Sequence, residues 1–150
     1  MERIALATLL LAACHGAKDD TAADTAGQDT AADAFPLEGT WDDDWGGVHV
    51  ITTTTWTMTY PKDSSVFHVE EIALEEQYLV ALNDTANAWY PDLYSRFDWV
   101  LVDAAPWYCQ VAFDAADAAA AAGAGGADRT DPAAGGCGGY AWTRLVPHGR

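Results

Sequence analysis

The sequence predicts an all-β domain: a small antiparallel barrel or sandwich with one minor Ala-rich helix, set behind a signal peptide and a disordered tether. Three observations predict it. Apolar residues from about residue 48 onward recur with a period of two, the spacing of a half-buried strand. Turn chemistry rich in Pro, Gly, Asn and Asp punctuates those runs at short intervals. The single Ala-rich stretch is short and carries almost no apolar bulk.

The N-terminus comes first. After Met1-Glu2-Arg3, residues 4–13 are apolar apart from Thr8. Spanning a bilayer as a helix takes about 20 apolar residues, so this run is too short to do so; it fits the apolar centre of an export signal. It closes on Leu11-Ala12-Ala13-Cys14, which resembles the lipobox of bacterial lipoproteins. That resemblance implies cleavage after residue 13, a diacylglycerol thioether on Cys14, and a membrane partner reached through acyl chains. Two or three such chains give stable anchoring. His15 rather than Asp follows the cysteine. By the sorting rule of that family, this implies the outer membrane of the cell envelope.

Residues 14–35 form the expected tether. Asp-Thr-Ala recurs at Asp20, Asp24 and Asp29, and no large apolar residue appears before Phe35. Such a segment has nothing to bury against its ordering entropy, and its like charges extend it. About 20 flexible residues span roughly 25 Å. The globular domain is expected over residues 36–147, with a tail at 148–150.

Seven Trp, six Tyr and four Phe supply ample core for one domain of this size. The formal net charge of −16 and a pI near 4.1 exclude nucleic acid as a partner, because phosphates must be neutralised by Lys and Arg. With Cys14 set aside, Cys109 and Cys137 remain. An even pair in an exported domain reads as a disulfide. A metal-thiolate pair is the alternative, although neither Cys-x-x-Cys nor a nearby His accompanies it.

Within the domain, residues 48–60 alternate. Val48, Val50, Trp56, Met58 and Tyr60 share one parity; His49, Thr53, Thr55, Thr57 and Thr59 share the other. A long strand or bent strand pair follows, with the first set on the dry face. Residues 61–65 make a turn, Phe67 and Val69 open the next strand, and the Glu-rich stretch 70–76 is expected to be a hairpin leading into a strand at 77–82. Residues 83–94 are a loop. Phe97, Trp99 and Leu101 alternate on the next strand, a turn falls at 103–106, and Trp107, Cys109, Val111 and Phe113 alternate on the one after. With those odd positions inward, Cys109 faces the core. Asp114 is placed to cap a surface helix ending at Gly123. A Gly-rich loop to residue 139 and a last strand at 140–146 complete the domain. Gly39-Thr40-Trp41 resembles the Gly-x-Trp opening of lipocalin-like barrels, which implies an up-and-down barrel with the Trp at its closed end. The tether style, together with Ser95-Arg96-Phe97-Asp98-Trp99, Tyr108-Cys109-Gln110 and Gly136-Cys137-Gly138-Gly139, also resembles a group of bacterial lipoproteins, a likeness that implies no activity.

Chemistry-bearing residues are sparse. Trp89, Tyr90 and Tyr94, with Arg96 and Asp98, form the candidate ligand-binding set. Aromatics on a polar loop stack on sugars or cover a hydrophobic patch, or else fold back to close a barrel end. Arg96 and Asp98, two apart on a strand, share a face and suit either a carboxylate clamp or an ion pair. The run Asp42-Asp43-Asp44 lacks the ordered ligand pattern of a calcium loop. His49 and His68 lack a third metal ligand. No serine-hydrolase, zinc-protease or phosphate-loop motif occurs, and neither cofactor nor metal is expected. The sequence thus favours a lipid-anchored envelope domain of binding or structural type, whose partner is a small molecule, a glycan or an envelope protein. The alternative is a polysaccharide hydrolase using paired carboxylates among Glu70, Glu71, Asp84 and Asp98.

Overall fold

A computed structural model describes residues 34–150; the expected signal, Cys14 and the expected tether up to residue 33 lie outside the described residues. Eight strands run β1(Gly39–Asp43), β2(Val48–Ile51), β3(Thr55–Tyr60), β4(Asp63–Ala73), β5(Tyr78–Asn83), β6(Tyr94–Val102), β7(Ala105–Ala115) and β8(Thr143–Pro147). Each pairs antiparallel with its sequence neighbours, and β1 pairs with β8, so the sheet closes into an up-and-down barrel. Closure removes the sheet edges that a small sandwich would expose, except along β7 beyond Tyr108. A five-residue helix, α1(Ala118–Ala122), follows β7.

Side chains fill the interior. Trp56, Phe97, Phe67 and Tyr108 meet at ring-centroid distances of 4.6 to 6.3 Å, two pairs edge to face and two tilted. Ile51, Leu79, Trp99 and Leu145 are buried with them. Aromatic pairs favour this geometry because the ring edge is positive and the face negative. Phe35 and Leu37 close the end at which the chain enters: Phe35 lies edge-on to Trp99 at 5.4 Å, and the Trp41 indole donates to the Leu37 carbonyl at 2.8 Å. Phe35 therefore belongs to the folded domain rather than to the tether. The tail is tied down as well, with His148 Nδ1 at 2.6 Å from Asp42 Oδ1.

Several local expectations need correcting. Residues 48–60 take the second of the expected forms, a strand pair, joined by a turn in which Thr52 Oγ1 accepts from the Thr54 and Thr55 amides. That turn swaps parity: His49 and Ile51 point inward on β2, Val50 faces out, and Trp56 and Met58 point inward on β3. On β7 the odd positions Trp107 and Cys109 lie outside, and beyond Gln110 the register shifts. Tyr108 packs inside, while Cys109 sits on the outer face opposite Asp98. Alternation finds the period but not the side when both faces are covered. Here the outer face is dry because residues 116–142 fold back across β5, β6 and β7 as a strap. Asp114 is still strand; the N-cap is Asp117, whose side chain accepts from the Ala120 amide at 2.8 Å. The helix is not purely superficial, since Ala121 is fully buried.

Charge fixes the strap. Arg96 Nε donates to Asp98 Oδ1 at 2.7 Å, and its Nη1 donates to the carbonyls of Ala122 and Ala124 at 2.6 and 2.7 Å, satisfying the end of α1. Asp98 Oδ2 accepts from the Ala127 amide at 2.8 Å and from Arg129 Nη2 at 3.2 Å. Arg96 also lies 4.1 Å from the Tyr78 ring centroid. Gly136, at φ +95, lets the strap turn where an added Cβ would stand 2.1 Å from the Asp128 carbonyl oxygen. The Cys109–Cys137 disulfide, with Cα atoms 5.5 Å apart, fastens the far part. On the chain-entropy argument, a bridge with a sequence separation of 28 stabilises by about 3.5 kcal/mol. The double variant Cys109→Ala/Cys137→Ala is expected to lose that amount in urea unfolding; a loss below about 1 kcal/mol would show that the charge cluster alone holds the strap.

Candidate functional site

The structure separates the residues that the sequence grouped. Trp89 and Tyr90 are exposed on the β5–β6 loop and do not fold back into the barrel. Tyr90, at positive φ, lies 6.4 Å from Phe113 between ring centroids. Tyr94 begins β6 and its hydroxyl reaches Glu70 Oε1 at 3.4 Å. Arg96 and Asp98 are buried beneath the strap, on the outer face of the barrel, where every polar contact described above is to each other or to the strap. They do not meet Trp89.

Instead, a cleft of about 630 Å³ opens beside β7. Its origin is topological. β8 pairs with β7 only at Trp107↔Arg144 and Tyr108↔Thr143. Beyond Tyr108, β7 runs on to Ala115 without a β8 partner, and the strap, bonded to β7 at Cys109, lines the cleft with it. Both faces of β7 line the cleft, Tyr108 and Gln110 from the inner face and Cys109 from the outer, and Val111 and Phe113 follow where the β6–β7 register shifts. Only an unpaired strand edge presents both. Glycines of the strap, including Gly126 and Gly138, form the opposite wall, and Trp45 and Tyr140 complete the rim. Trp45 is 76% and Tyr140 79% exposed, values that mark side chains presented to solvent rather than packed.

The cleft is uncharged. No Asp, Glu, His, Lys or Arg lines it. Burial pushes the Tyr108 hydroxyl up to about 12, so it stays protonated at neutral pH. Gln110 donates through Nε2 to Ser95 Oγ at 2.9 Å, and Ser95 in turn donates to Asn83 Oδ1 at 2.7 Å. That chain fixes the Gln110 amide and leaves its oxygen as an acceptor.

Behind the rim lies a buried polar cluster. Trp56 Nε1 donates to His49 Nδ1 at 3.1 Å, so the ring proton of neutral His49 is on Nε2, which donates to Asp43 Oδ2 at 2.9 Å. Tyr60 donates to the same oxygen at 2.7 Å. The other carboxylate oxygen, Asp43 Oδ1, accepts from the Trp45 and Gly47 amides at 2.8 and 2.6 Å. Both His49 nitrogens are engaged, which removes it as a general base. Burial holds the His49 pKa below its ordinary value, against the opposing pull of Asp43. Burial raises Asp43, but its hydrogen bonds from Tyr60, His49, Gly47 and Trp45 outweigh that and hold it below the usual carboxylate range. Burial, with Tyr108 and Asp43 nearby, raises Tyr60. An added Cβ at Gly47 would stand 2.6 Å from the Tyr60 ring, so the turn carrying Trp45 requires glycine there.

The remaining candidates disperse. His68 is outside the barrel, 2.8 Å from Asp84 Oδ2, and does not meet the inward His49. Asp42 serves the tail, Asp43 the interior, and Asp44 faces solvent. Among the described residues, no group of three His, Cys, Asp or Glu side chains is placed to hold a metal. Glu71 accepts from the Tyr78 hydroxyl and Asp98 lies under the strap, so the proposed carboxylate pairs do not converge on the cleft. Trp45 and Tyr140 escaped the sequence reading, although Asp44-Trp45-Gly46 and Gly139-Tyr140 carry the same signal as Trp89, an aromatic held in turn chemistry. No family model matches the chain, and no curated protein or solved structure is significantly similar to it.

The buried cluster sets a pH dependence. Because the folded-state pKa of His49 is depressed, the unfolded chain binds the extra proton first, and stability is lost as pH falls below about 6.5. Urea midpoints of the wild type and of His49→Gln, compared at pH 7.5 and 5, should show the wild type losing more; a pH-independent difference between the two would mean that His49 titrates alike folded and unfolded.

Proposed function

We propose that this protein is an exported, lipid-anchored envelope domain that binds an uncharged ligand and does not transform it. The uncharged, aromatic-rimmed cleft carries this reading. It has the size range of small-molecule sites, roughly 300–1,000 Å³. Catalysis needs a nucleophile or a proton-transfer pair in reach. The cleft offers only amide, hydroxyl and backbone groups, with both cysteines joined in the disulfide. The hydrolase alternative draws no support there, since no carboxylate lines the cleft.

Strand direction adds to the reading. The chain enters at the end closed by Phe35 and Leu37. Trp45, Trp89, Tyr90, Phe113 and Tyr140 all belong to connections or strand ends at the other end, whereas the exposed aliphatics Leu74, Leu101 and Val102 sit at the entry end. The exposed aromatics thus gather at the barrel end opposite Phe35 and Leu37. The lipobox resemblance supports the anchor, and His15 after Cys14 supports the outer membrane.

Two experiments test the two halves. Replacing Cys14 by Ala should move the protein from the detergent phase to the aqueous phase on Triton X-114 partition; retention in detergent would remove the anchor from the reading. Two-dimensional NMR of the folded domain with indole, phenol and cyclohexanediol at millimolar concentration should shift the Trp45 side-chain signal and the amides of Gln110 and Tyr140 together. Shifts scattered over the surface, or none, would remove the binding site.

A further inference from the structure

We propose that the cleft takes a chain of uncharged sugar residues, stacked on the rim aromatics and hydrogen-bonded along the free edge of β7. This rests on the binding reading above and names its ligand class. A sugar ring has an apolar face of C–H groups and a periphery of hydroxyls, and both halves of that chemistry are present. Trp45, Phe113 and Tyr140 present aromatic surface to solvent at the cleft, each more than 45% exposed, a cost that folding would avoid if they had no partner. Between them lie groups that donate and accept without charge: the Gln110 amide oxygen and the backbone of β7 beyond Tyr108, which lacks a β8 partner, the Phe113 carbonyl excepted because it accepts from Asn83 Nδ2.

Charge narrows the class. A protein of net charge −16 repels anionic polymers, and a cleft without carboxylates gives a cationic ligand no counter-charge. A neutral chain meets neither penalty. Shape narrows it again. An added polypeptide strand would also satisfy the β7 edge, but strand addition draws specificity from pockets that receive alternate side chains. The facing wall here is glycine backbone at Gly125, Gly126, Gly136 and Gly138, which has no side chains to form such pockets. A flat polar wall facing aromatic surface suits a ribbon of sugar rings.

The test is calorimetric and fluorimetric titration of the full folded domain with uncharged pentasaccharides of β-1,4-glucose, β-1,4-N-acetylglucosamine, α-1,4-glucose and α-1,6-mannose. Cationic chitosan and anionic oligogalacturonate of like length serve as charge controls, and a capped alternating Thr-Val peptide as the strand control. At least one neutral sugar chain should bind with a change in tryptophan emission, and both charged chains should bind more weakly. Trp45→Ala and Tyr140→Ala should each raise its Kd about tenfold or more, while Leu101→Ala at the opposite end leaves it unchanged. Binding of the peptide with no sugar binding, accompanied by slowed amide exchange at Gln110 and Val111, would overturn the sugar class in favour of strand addition. If no neutral sugar shifts Trp45 while the small uncharged probes above still do, the sugar inference falls and the binding reading stands. If neither shifts it, both fall.

Discussion

The architecture turns on one buried carboxylate. Asp98 lies on the outer face of β6, fully buried, and accepts from Arg96, the Ala127 amide and Arg129. A charge removed from water is tolerated only when it is paired and its lone pairs are used. Here the partners come from its own strand and from the strap, so satisfying the charge requires the strap to lie across the barrel. With the strap in place, the outer faces of β5, β6 and β7 are dry, Cys109 and Cys137 meet, and β8 is delivered to its two pairings with β7. The short contact between β7 and β8 leaves the free edge, and the cleft is the space between that edge and the strap. Fold and cleft therefore share one cause.

Asp43 does at the rim what Asp98 does under the strap. One of its oxygens serves the interior, through His49 and Tyr60; the other shapes the β1–β2 turn, through the amides of Trp45 and Gly47. An exposed tryptophan on a mobile turn would lose conformational entropy on binding. Tying the Trp45 backbone to a buried carboxylate lowers that cost before any ligand arrives. The buried histidine serves this arrangement: its two nitrogens bridge the Trp56 indole to Asp43 and leave no polar atom of the cluster unpaired.

The sequence disclosed much of the fold and little of the site, for different physical reasons. Period-two alternation identified strands β3, β6 and β7, and turn residues located most of their ends, because both signals are local. Which face of β7 points inward is not local. Cys109 is as buried as an inner residue because the strap is bonded over it, and no residue within β7 announces a strap that starts after Ala115. His49 misled for a related reason. Its polarity argued for the wet side, whereas Asp43 and Trp56 satisfy it inside. The disulfide was legible because a lone cysteine pair leaves one partner choice. Arg96 and Asp98 were legible as a pair, yet their work under the strap depends on Ala122, Ala127 and Arg129, distant in sequence. Trp89 and Tyr90 were singled out as aromatics in a loop, and they do face solvent. Trp45 and Tyr140 bore the same mark in shorter turns, where the glycines beside them drew attention to the backbone instead.

The distribution of charge leaves the cleft without a dedicated recognition charge, and selectivity under the binding proposal would have to arise without one. The acidic side chains named above are spent elsewhere: Asp42 on the tail, Asp43 on the turn, Asp84 on His68, Asp98 on the strap. Others face solvent, where they keep the domain soluble and disfavour association with like-charged surfaces. What remains at the cleft is aromatic surface, amide and hydroxyl. Such a surface gains little from long-range attraction, so its affinity must come from contact area and hydrogen bonds formed at short range. A ligand with repeated, identical units exploits this best, since each unit adds contact without needing a new charge partner, and a strand edge offers repeated backbone groups to match. The neutrality of the site and the regularity of the β7 edge thus argue for the same kind of ligand, one that is uncharged and periodic.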